Sequence, residues 1–215
     1  MTALLAGATG LIGHEIAASW TGPGKLHLLV RRAVPVTGPA PRLQRVHVVD
    51  YAALPALPAA EEAYCCLGTT IKVAGSQAAF RAVDFDAVLA FARAAQRAGV
   101  RRFAVVSALG ASAKSATFYN RVKGEMEEAL AGLGFDSLVV ARPSLLDGDR
   151  AGLGQPQRLG ERLALALTAP LAPLIPKAWR PIRAATVARA MRRALAEARP
   201  GVRIVESAEL QDLGT

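Results

Sequence analysis

The chain of 215 residues is long enough to bury one core but short for two full domains, and its 52% of hydrophobic residues exclude a disordered protein. No apolar run reaches the roughly 18–20 residues that a membrane-spanning helix needs. The formal net charge of +9 does not predict specific nucleic-acid binding, because the arginines are scattered and aromatic residues make up only 5% of the chain. Attraction to an anionic cofactor or substrate is the simpler expectation.

Short apolar runs alternate with longer segments of helical periodicity along the chain. We predict strands at residues 2–6, 25–30, 45–49, 63–67, 102–107, 137–141 and 202–206, and helices at 11–20, 77–98, 117–133, 160–167 and 185–198. Most of the strands are continuous apolar runs, as expected where both faces of a sheet are covered. The alternation predicts a single α/β domain over residues 1–215, with a doubly wound parallel sheet of about seven strands and helices on both faces.

A glycine-rich turn, GATGLIG at residues 7–13, joins the first strand to the first helix. Gly7 would permit the tight turn, Gly10 would let a pyrophosphate approach the backbone, and Gly13 would let helix and strand pack closely. The helix N-terminus offers amide donors and a partial positive charge to phosphates. An ordinary glycine-rich turn is the alternative. However, the position of this segment directly after the opening strand favours a turn that binds a dinucleotide, made by Gly7, Thr9, Gly10, Leu11, Ile12 and Gly13.

The second strand ends in Arg31 and Arg32. A site for NAD usually carries an Asp or Glu here that binds the ribose 2′-hydroxyl, whereas two guanidinium groups can pair with the 2′-phosphate of NADP. We therefore expect NADP(H) to be preferred over NAD(H). The alternative is that both arginines belong to a solvated loop, and Asp50 at the end of the third strand would contact the adenine in either case.

Tyr119 and Lys123 are four residues apart, so a helix would place both side chains on one face. A phenol has a reference pKa of about 10 and exchanges protons poorly near neutrality. A charge about 4 Å away, at an effective dielectric constant of ~20, favours its ionised form by roughly 4 kcal/mol. Ser107, at the end of a strand, would hydrogen-bond the substrate oxygen and orient it to Tyr119. Ser112 is the main alternative to Ser107, and Ser115 lies on the same approach to the helix.

The remaining reactive side chains do not predict a metal site. Cys65 and Cys66 are adjacent, which indicates a buried strand pair in a reducing compartment rather than a disulfide framework. His14, His27 and His47 show no ligand spacing. The N-terminus lacks the basic region of a signal peptide, so we expect a cytoplasmic protein.

Six segments stand in a fixed order along the chain: GATGLIG at 7–13, CCLGTT at 65–70, VD at 83–84, SALGA at 107–111, FYNRVKGE at 118–125 and RPS at 142–144. In this order they resemble the atypical short-chain dehydrogenase/reductase family, over about residues 1–195. Within that family, the chain looks most like the branch that includes the mammalian Tat-interacting oxidoreductase-like protein and its bacterial relatives.

The resemblance implies a Rossmann sheet and a catalytic set of Ser107, Tyr119 and Lys123. Tyr119 and Lys123 would also contact the cofactor, since the other donors of the Lys123 ammonium can hold the nicotinamide ribose. The resemblance further implies a nicotinamide-side wall made by two segments, namely Leu67, Gly68 and Thr69 after the fourth strand and Arg142, Pro143 and Ser144 after the sixth.

These observations predict an NADP(H)-dependent oxidoreductase that reduces a small carbonyl compound, or oxidises the matching alcohol, with Tyr119 as the acid/base. The irregular segment 144–182 would lie on the substrate side, and its apolar content favours an apolar substrate. Two alternatives stay open. One is an NADP(H)-sensing regulator with weak or no catalysis that acts through a protein partner. The other is a nucleotide-sugar epimerase or dehydratase, for which the C-terminal part offers little room.

Overall fold

The computed structural model describes residues 1–21, 24–33, 38, 40–148 and 175–215. Its strands are β1 (Ala3–Ala6), β2 (Leu26–Val30), β3 (Gln44–Val48), β4 (Glu62–Cys65), β5 (Arg102–Val106), β6 (Ser137–Arg142), β7 (Leu146–Asp147), β8 (Ile182–Arg183) and β9 (Gly201–Glu206). Its α-helices are α1 (Leu11–Ala18), α2 (Ile71–Ala74), α3 (Gln77–Arg81), α4 (Ala87–Arg97), α5 (Phe118–Ala131), α6 (Ala184–Ala196) and α7 (Ser207–Leu213). A π-helical turn, Ala82–Asp86, joins α3 to α4, and 3₁₀ turns lie at Pro41–Leu43 and Lys177–Trp179.

Seven of the strands form one parallel sheet in the order β3-β2-β1-β4-β5-β6-β9, which confirms the predicted doubly wound sheet. The direction of the strand order reverses between β1 and β4, where Ala6 pairs with Cys65. At such a reversal the loops that follow the two strands run apart and leave a crevice at the carboxyl edge of the sheet. The fold therefore favours a ligand site beyond Ala6 and Cys65.

Helices cover both faces of this sheet, because successive side chains of a strand point to opposite sides. In β1, Leu5 belongs to the core beneath α1, α6 and α7, whereas Leu4 belongs to the core beneath α4 and α5. Both leucines are fully buried, and burial of such a side chain stabilises the fold by about 1.5–3 kcal/mol. The sheet is fixed between two packed layers, so its carboxyl edge is a rigid base for a site.

The predicted helix at 77–98 contains a feature that periodicity did not predict. In the structure α3, the π-helical turn and α4 follow one another without a break. A π-helical turn takes in one more residue than an α-helical turn, which alters the side-chain directions around it. Its buried residue is Asp84.

The predicted helix at 160–167 and residues 149–174 of the irregular segment lie outside the described residues. The described ends of that segment form a short parallel pair, in which Leu146 of β7 pairs with Ile182 of β8. The assignment of residues 1–215 to a single domain stays a prediction.

Several arginines close the C-terminal ends of helices. Arg192 donates to the carbonyl oxygen of Ser19 after α1 at 3.0 Å. Arg189 and Arg193 donate to the carbonyl oxygens of Gly214 and Leu213 at 2.6 and 2.8 Å, at the end of α7. The last carbonyls of a helix have no partner within it and favour positive charge. Part of the positive charge of the chain therefore stabilises the fold itself.

Candidate active site

The glycine turn after β1 depends on two close backbone approaches. Gly7 has a positive φ of 82°, and a Cβ atom there would lie 2.4 Å from the carbonyl oxygen of Cys66, just after β4. A Cβ atom on Gly13 would lie 2.2 Å from the carbonyl oxygen of Gly7. Glycine at both positions therefore lets the turn lie against β4 and lets α1 begin directly over it. Gly10 caps α1 without a side chain, which suits the first amides of the helix to an anionic ligand.

A cavity of about 460 Å³ opens beside this turn at the carboxyl edge of the sheet. Its wall is formed by the start of α1, by the loops after β4, β5 and β6, and by α5. Such a volume is typical of a small-molecule site. The cavity brings together these predicted site residues: Leu11, Ile12, Leu67, Gly68, Thr69, Ser107, Tyr119, Lys123, Pro143 and Ser144.

Ser107 follows β5 directly and forms part of the cavity wall. Its amide donates a hydrogen bond to the carbonyl oxygen of Ala141 at 2.7 Å, which fixes its backbone on β6. The residue is 4% exposed, and its hydroxyl has no hydrogen-bond partner among the described residues. A buried polar group without a partner costs about 1–3 kcal/mol. A ligand oxygen in the cavity would provide the missing partner.

Ser112 does not line the cavity, and it forms hydrogen bonds within its own loop and to α5. Its hydroxyl accepts a hydrogen bond from the Lys114 amide at 3.2 Å, and its own amide donates to the Asn120 carbonyl oxygen at 3.0 Å. A Cβ atom on Gly124 would lie 2.0 Å from the Ser112 carbonyl carbon, so the loop packs directly on α5. Ser115 shares a hydrogen bond with Thr117 at 3.1 Å. Both serines therefore hold the loop that leads into α5.

Helix α5 presents Tyr119 and Lys123 to the cavity from one face. The Tyr119 ring packs against Phe80, with ring centroids 5.3 Å apart. The Lys123 side chain is 3% exposed, and its Nζ atom lies 2.7 Å from Oδ1 of Asp84 and 3.5 Å from the carbonyl oxygen of Val106. Burial by itself would lower the pKa of Lys123, but the Asp84 carboxylate and the Tyr119 hydroxyl outweigh it, so this pKa is raised above its ordinary value. Lys123 is therefore charged at neutral pH.

Asp84 is a site residue to which sequence reasoning gave no role. Its side chain is fully buried, and its Oδ2 atom accepts a hydrogen bond from the Thr69 amide at 2.8 Å. The sequence did carry a signal, since Asp84 follows Phe80 by four residues and precedes Val88 by four. It therefore falls on the apolar stripe of the predicted helix, where a carboxylate is costly unless it is paired.

Eight of the predicted cofactor residues do not line the cavity. Four of these belong to the glycine turn beside it, namely Gly7, Thr9, Gly10 and Gly13, and Arg142 ends β6. The other three lie at the ends of the strands on the other side of the glycine turn. Arg31 and Arg32 follow β2 and are exposed. Asp50 follows β3, and its carboxylate accepts a hydrogen bond from the Ala52 amide at 2.9 Å. The three share the carboxyl edge of the sheet with the cavity.

Arg142 is not brought to the cavity by the structure. Its guanidinium donates to both carboxylate oxygens of Glu127 at 3.0 and 2.5 Å, and to Glu206 at 2.9 Å. Arg142 shares the β6 face of Leu138 and Val140, which belong to the core beneath α5. The side chain therefore meets Glu127 of α5, and the two ion pairs raise the pKa of Arg142.

A nucleophilic cysteine, a metal site and a membrane span were also considered as features of the described residues. Cys66 lines the cavity, but burial raises the pKa of its thiol well above the usual range, and a neutral thiol is a poor nucleophile. Among the described residues, no group of three or more His, Cys, Asp or Glu side chains could hold a metal ion. Within the same ranges, no helix has the length and hydropathy to cross a membrane.

Comparison with known proteins points to one family. Residues 7–164 match the model of a family described as NAD(P)H-binding. The chain is 38% identical over 155 residues to the mitochondrial protein FMP52 of Eremothecium gossypii, covering 70% of this chain and 68% of that protein. It is 36% identical over 165 residues to protein HTATIP2 of Rattus norvegicus, covering 74% of this chain and 66% of that protein. The predicted resemblance to the Tat-interacting branch is thereby confirmed.

Solved structures show the same fold. The structure of MoeE5 in complex with UDP-glucose and NAD superposes with a TM-score of 0.69 at 17% identity, covering 100% of this chain and 81% of that one. The expectation of a cytoplasmic protein is contradicted by the curated relatives, because fungal proteins at 32–38% identity are mitochondrial by name.

Proposed function

Because the chain belongs to the NAD(P)H-binding family, we propose that it is an NADP(H)-dependent oxidoreductase that acts on a small carbonyl or alcohol substrate. The observation that carries the proposal is the meeting of Ser107, Tyr119 and Lys123 on one cavity beside the glycine turn. Ser107 follows a strand and the other two belong to a helix, so the three meet through the packing of α5 on the sheet.

The residues of the cavity are suited to exchange a proton with a substrate oxygen. NADPH, when bound, supplies the hydride. In reduction the Tyr119 hydroxyl would donate its proton to the carbonyl oxygen and be left as a phenolate, and in oxidation the phenolate would take the proton back from the alcohol. The Ser107 hydroxyl donates a hydrogen bond to the same oxygen, which provides its missing partner. The charged Lys123 ammonium stabilises negative charge that develops on the Tyr119 oxygen.

The same edge of the sheet suits a dinucleotide. The close approaches at Gly7 and Gly13 create the tight turn that a pyrophosphate needs, and the start of α1 supplies amide donors. We assign the pyrophosphate to Gly7, Thr9, Gly10, Leu11, Ile12 and Gly13. The nicotinamide half is assigned to Leu67, Gly68, Thr69, Tyr119, Lys123, Pro143 and Ser144. Adenosine and its phosphate are assigned to Arg31, Arg32 and Asp50. The ion pairs of Arg142 assign that residue to the scaffold.

The preference for NADP(H) is expected to depend on Arg31 and Arg32. Each guanidinium would form charge-assisted hydrogen bonds to the 2′-phosphate, worth about 1.5–3 kcal/mol. Replacing either arginine by alanine should therefore weaken NADPH binding by roughly 10–100-fold and leave NADH binding unchanged. Titration of cofactor fluorescence measures both affinities. The matched control is Arg93→Ala on the exposed side of α4, and equal affinity of the native protein for both cofactors would refute the assignment.

Ser107→Ala and Ser112→Ala should have opposite effects on activity and stability. Ser107→Ala removes a hydroxyl without a partner among the described residues, so the free energy of unfolding should stay constant or rise. Its turnover should fall by roughly 10–1,000-fold, since a donor to the reacting oxygen is lost. Ser112→Ala should keep turnover and lose about 1 kcal/mol of stability with its loop hydrogen bond. Steady-state kinetics and urea unfolding of both variants decide between the two serines.

The substrate side of the cavity is apolar, because Leu109, Leu145 and Leu146 line it. We therefore expect a small apolar aldehyde, ketone or quinone. NADPH oxidation across a panel of such compounds tests the proposal, and turnover of at least one of them is expected. If the panel gives no turnover while a protein partner is captured only with NADPH present, the chain is a regulator and the catalytic proposal fails.

A further inference from the structure

A fully buried carboxylate stands behind the proposed catalytic residues. Asp84 is 0% exposed and belongs to the π-helical turn between α3 and α4. Lys123, its partner at 2.7 Å, belongs to α5 and is 3% exposed. Removing one partner of such a buried pair leaves an uncompensated charge, whereas removing both is often tolerated. The pair therefore couples two elements that are distant in the chain.

The second oxygen of Asp84 reaches a different part of the cavity. It accepts a hydrogen bond from the Thr69 amide at 2.8 Å, in the loop that follows β4. The neighbouring Gly68 lies against the ion pair, because a Cβ atom there would be in van der Waals contact with both partners, 3.4 Å from Oδ1 of Asp84 and 3.8 Å from Nζ of Lys123. One carboxylate thus holds both the ammonium and the wall of the cavity.

The Lys123 ammonium has two oxygen atoms of the protein as partners. An ammonium has three N–H groups. The Lys123 ammonium forms an ion pair with Asp84, with Nζ 2.7 Å from Oδ1, and donates a hydrogen bond to the Val106 carbonyl oxygen at 3.5 Å. Since Lys123 also lines the cavity, its ammonium has a donor left for a ligand there. The carboxylate thereby determines how the ammonium is presented to that ligand.

We propose that Asp84 is a positioning residue of the proposed site: it keeps the Lys123 ammonium charged and directed into the cavity, and it fastens the loop after β4 beside it. The role of Asp84 in catalysis rests on the proposed function, whereas its coupling to Lys123 rests on the ion pair alone. The Lys123 ammonium gives the reason that an acidic residue can point inward from an otherwise apolar helix face, because it compensates the buried carboxylate.

The titratable groups that face Lys123 come from three elements: Asp84, Tyr119 of α5 and Cys65 of β4. Burial raises the pKa of Cys65 to about 12, so that thiol is neutral near pH 7. Without the Asp84 carboxylate, burial would dominate and the pKa of Lys123 would fall below its value in the unfolded chain. The folded state would then bind fewer protons than the unfolded state, and stability would rise with pH.

The stability of the native chain should change with pH in the opposite direction. Its Lys123 has a raised pKa, so the stabilisation is complete below the unfolded value of about 10.4 and declines only as the pH rises through the folded value. We therefore expect Asp84→Asn to lower the melting temperature by roughly 6–20 °C at pH 7. The difference in melting temperature between Asp84→Asn and the native chain should become smaller as the pH is raised toward about 10. A deficit that is the same at every pH would mean a merely structural role and would overturn the proposal.

Three further variants make the test independent of whether Asp84→Asn folds. The double variant Asp84→Asn/Lys123→Met should be more stable than Asp84→Asn alone, and its melting difference from the native chain should not narrow with pH. Additive losses in the double variant would show that the two residues are uncoupled. Asp84→Glu, which keeps the charge, should restore part of the stability, and Asp86→Asn, an exposed residue of the same π-helical turn, should match the native chain.

Cofactor binding separates this inference from the proposed function. NADPH affinity of the native chain should change little between pH 7 and pH 9, whereas that of Asp84→Asn should weaken by about tenfold as Lys123 loses its charge. If the native chain binds no NADPH, the proposed function fails while the melting data still decide the role of Asp84. If affinity in Asp84→Asn does not depend on pH, the presentation of Lys123 to the cofactor is refuted.

Discussion

Replacing Tyr119 by phenylalanine should lower the turnover of any substrate found by roughly 100–10,000-fold, the usual contribution of a positioned acid or base. The phenylalanine ring can keep the packing of Tyr119 against Phe80, whose centroid lies 5.3 Å away. What is lost is the hydroxyl that exchanges the proton. NADPH affinity should stay within a few-fold of the native value, since the cofactor contacts assigned to the glycine turn are untouched. Single-turnover kinetics and a fluorescence titration measure the two quantities.

Tyr64→Phe provides a matched control for that experiment. The Tyr64 hydroxyl donates a hydrogen bond to Glu62 at 3.2 Å within β4, away from the cavity. Its loss should cost about 1 kcal/mol of stability and leave turnover unchanged. Full activity in Tyr119→Phe would remove Tyr119 from the mechanism, whereas an equal loss in both variants would indicate a general effect of the folded state.

Gly7→Ala should lower the free energy of unfolding by roughly 3–5 kcal/mol and abolish NADPH binding. A positive φ of 82° costs a residue with a side chain about 1–2 kcal/mol. The larger effect is steric, because the new Cβ atom would lie 2.4 Å from the Cys66 carbonyl oxygen and 2.8 Å from the Leu67 amide nitrogen. Both are backbone atoms, so the turn and the loop after β4 must move apart. Urea unfolding and NADPH titration measure the result.

Gly75→Ala separates the two causes. Gly75 has a comparable positive φ of 86°, at the end of α2, but a Cβ atom there would meet no atom within 4 Å. It should lose only about 1–2 kcal/mol and keep its affinity for NADPH. Equal destabilisation by the two substitutions would show that the approach of Gly7 to Cys66 carries no energetic weight.

Local pattern predicted the fold class and much of the cavity. The glycine turn, the strand ends and the i, i+4 pair of Tyr119 and Lys123 are properties of neighbouring residues, so they can be recognised without coordinates. The parallel sheet then brings the loops that follow its strands to one edge. Ser107 and Leu67 line the same cavity for that reason.

Two proposed assignments needed contacts between distant parts of the chain. The choice of Ser107 over Ser112 depends on which hydroxyl is buried without a partner, and Ser112 instead supports the start of α5. Arg142 was predicted at the cofactor but binds Glu127 of α5. A sequence motif shows that Arg142 is present, but the face of β6 on which Arg142 lies determines which side chains its guanidinium contacts.

The amino-acid sequence by itself determined the alternation of strands and helices, the dinucleotide turn and the spacing of the proposed acid/base pair. These follow from backbone sterics and periodicity, which act between residues close in the chain. Tertiary structure alone decided that Asp84 faces Lys123. That contact depends on the packing of α5 over the sheet and on the cost of burying either charge alone.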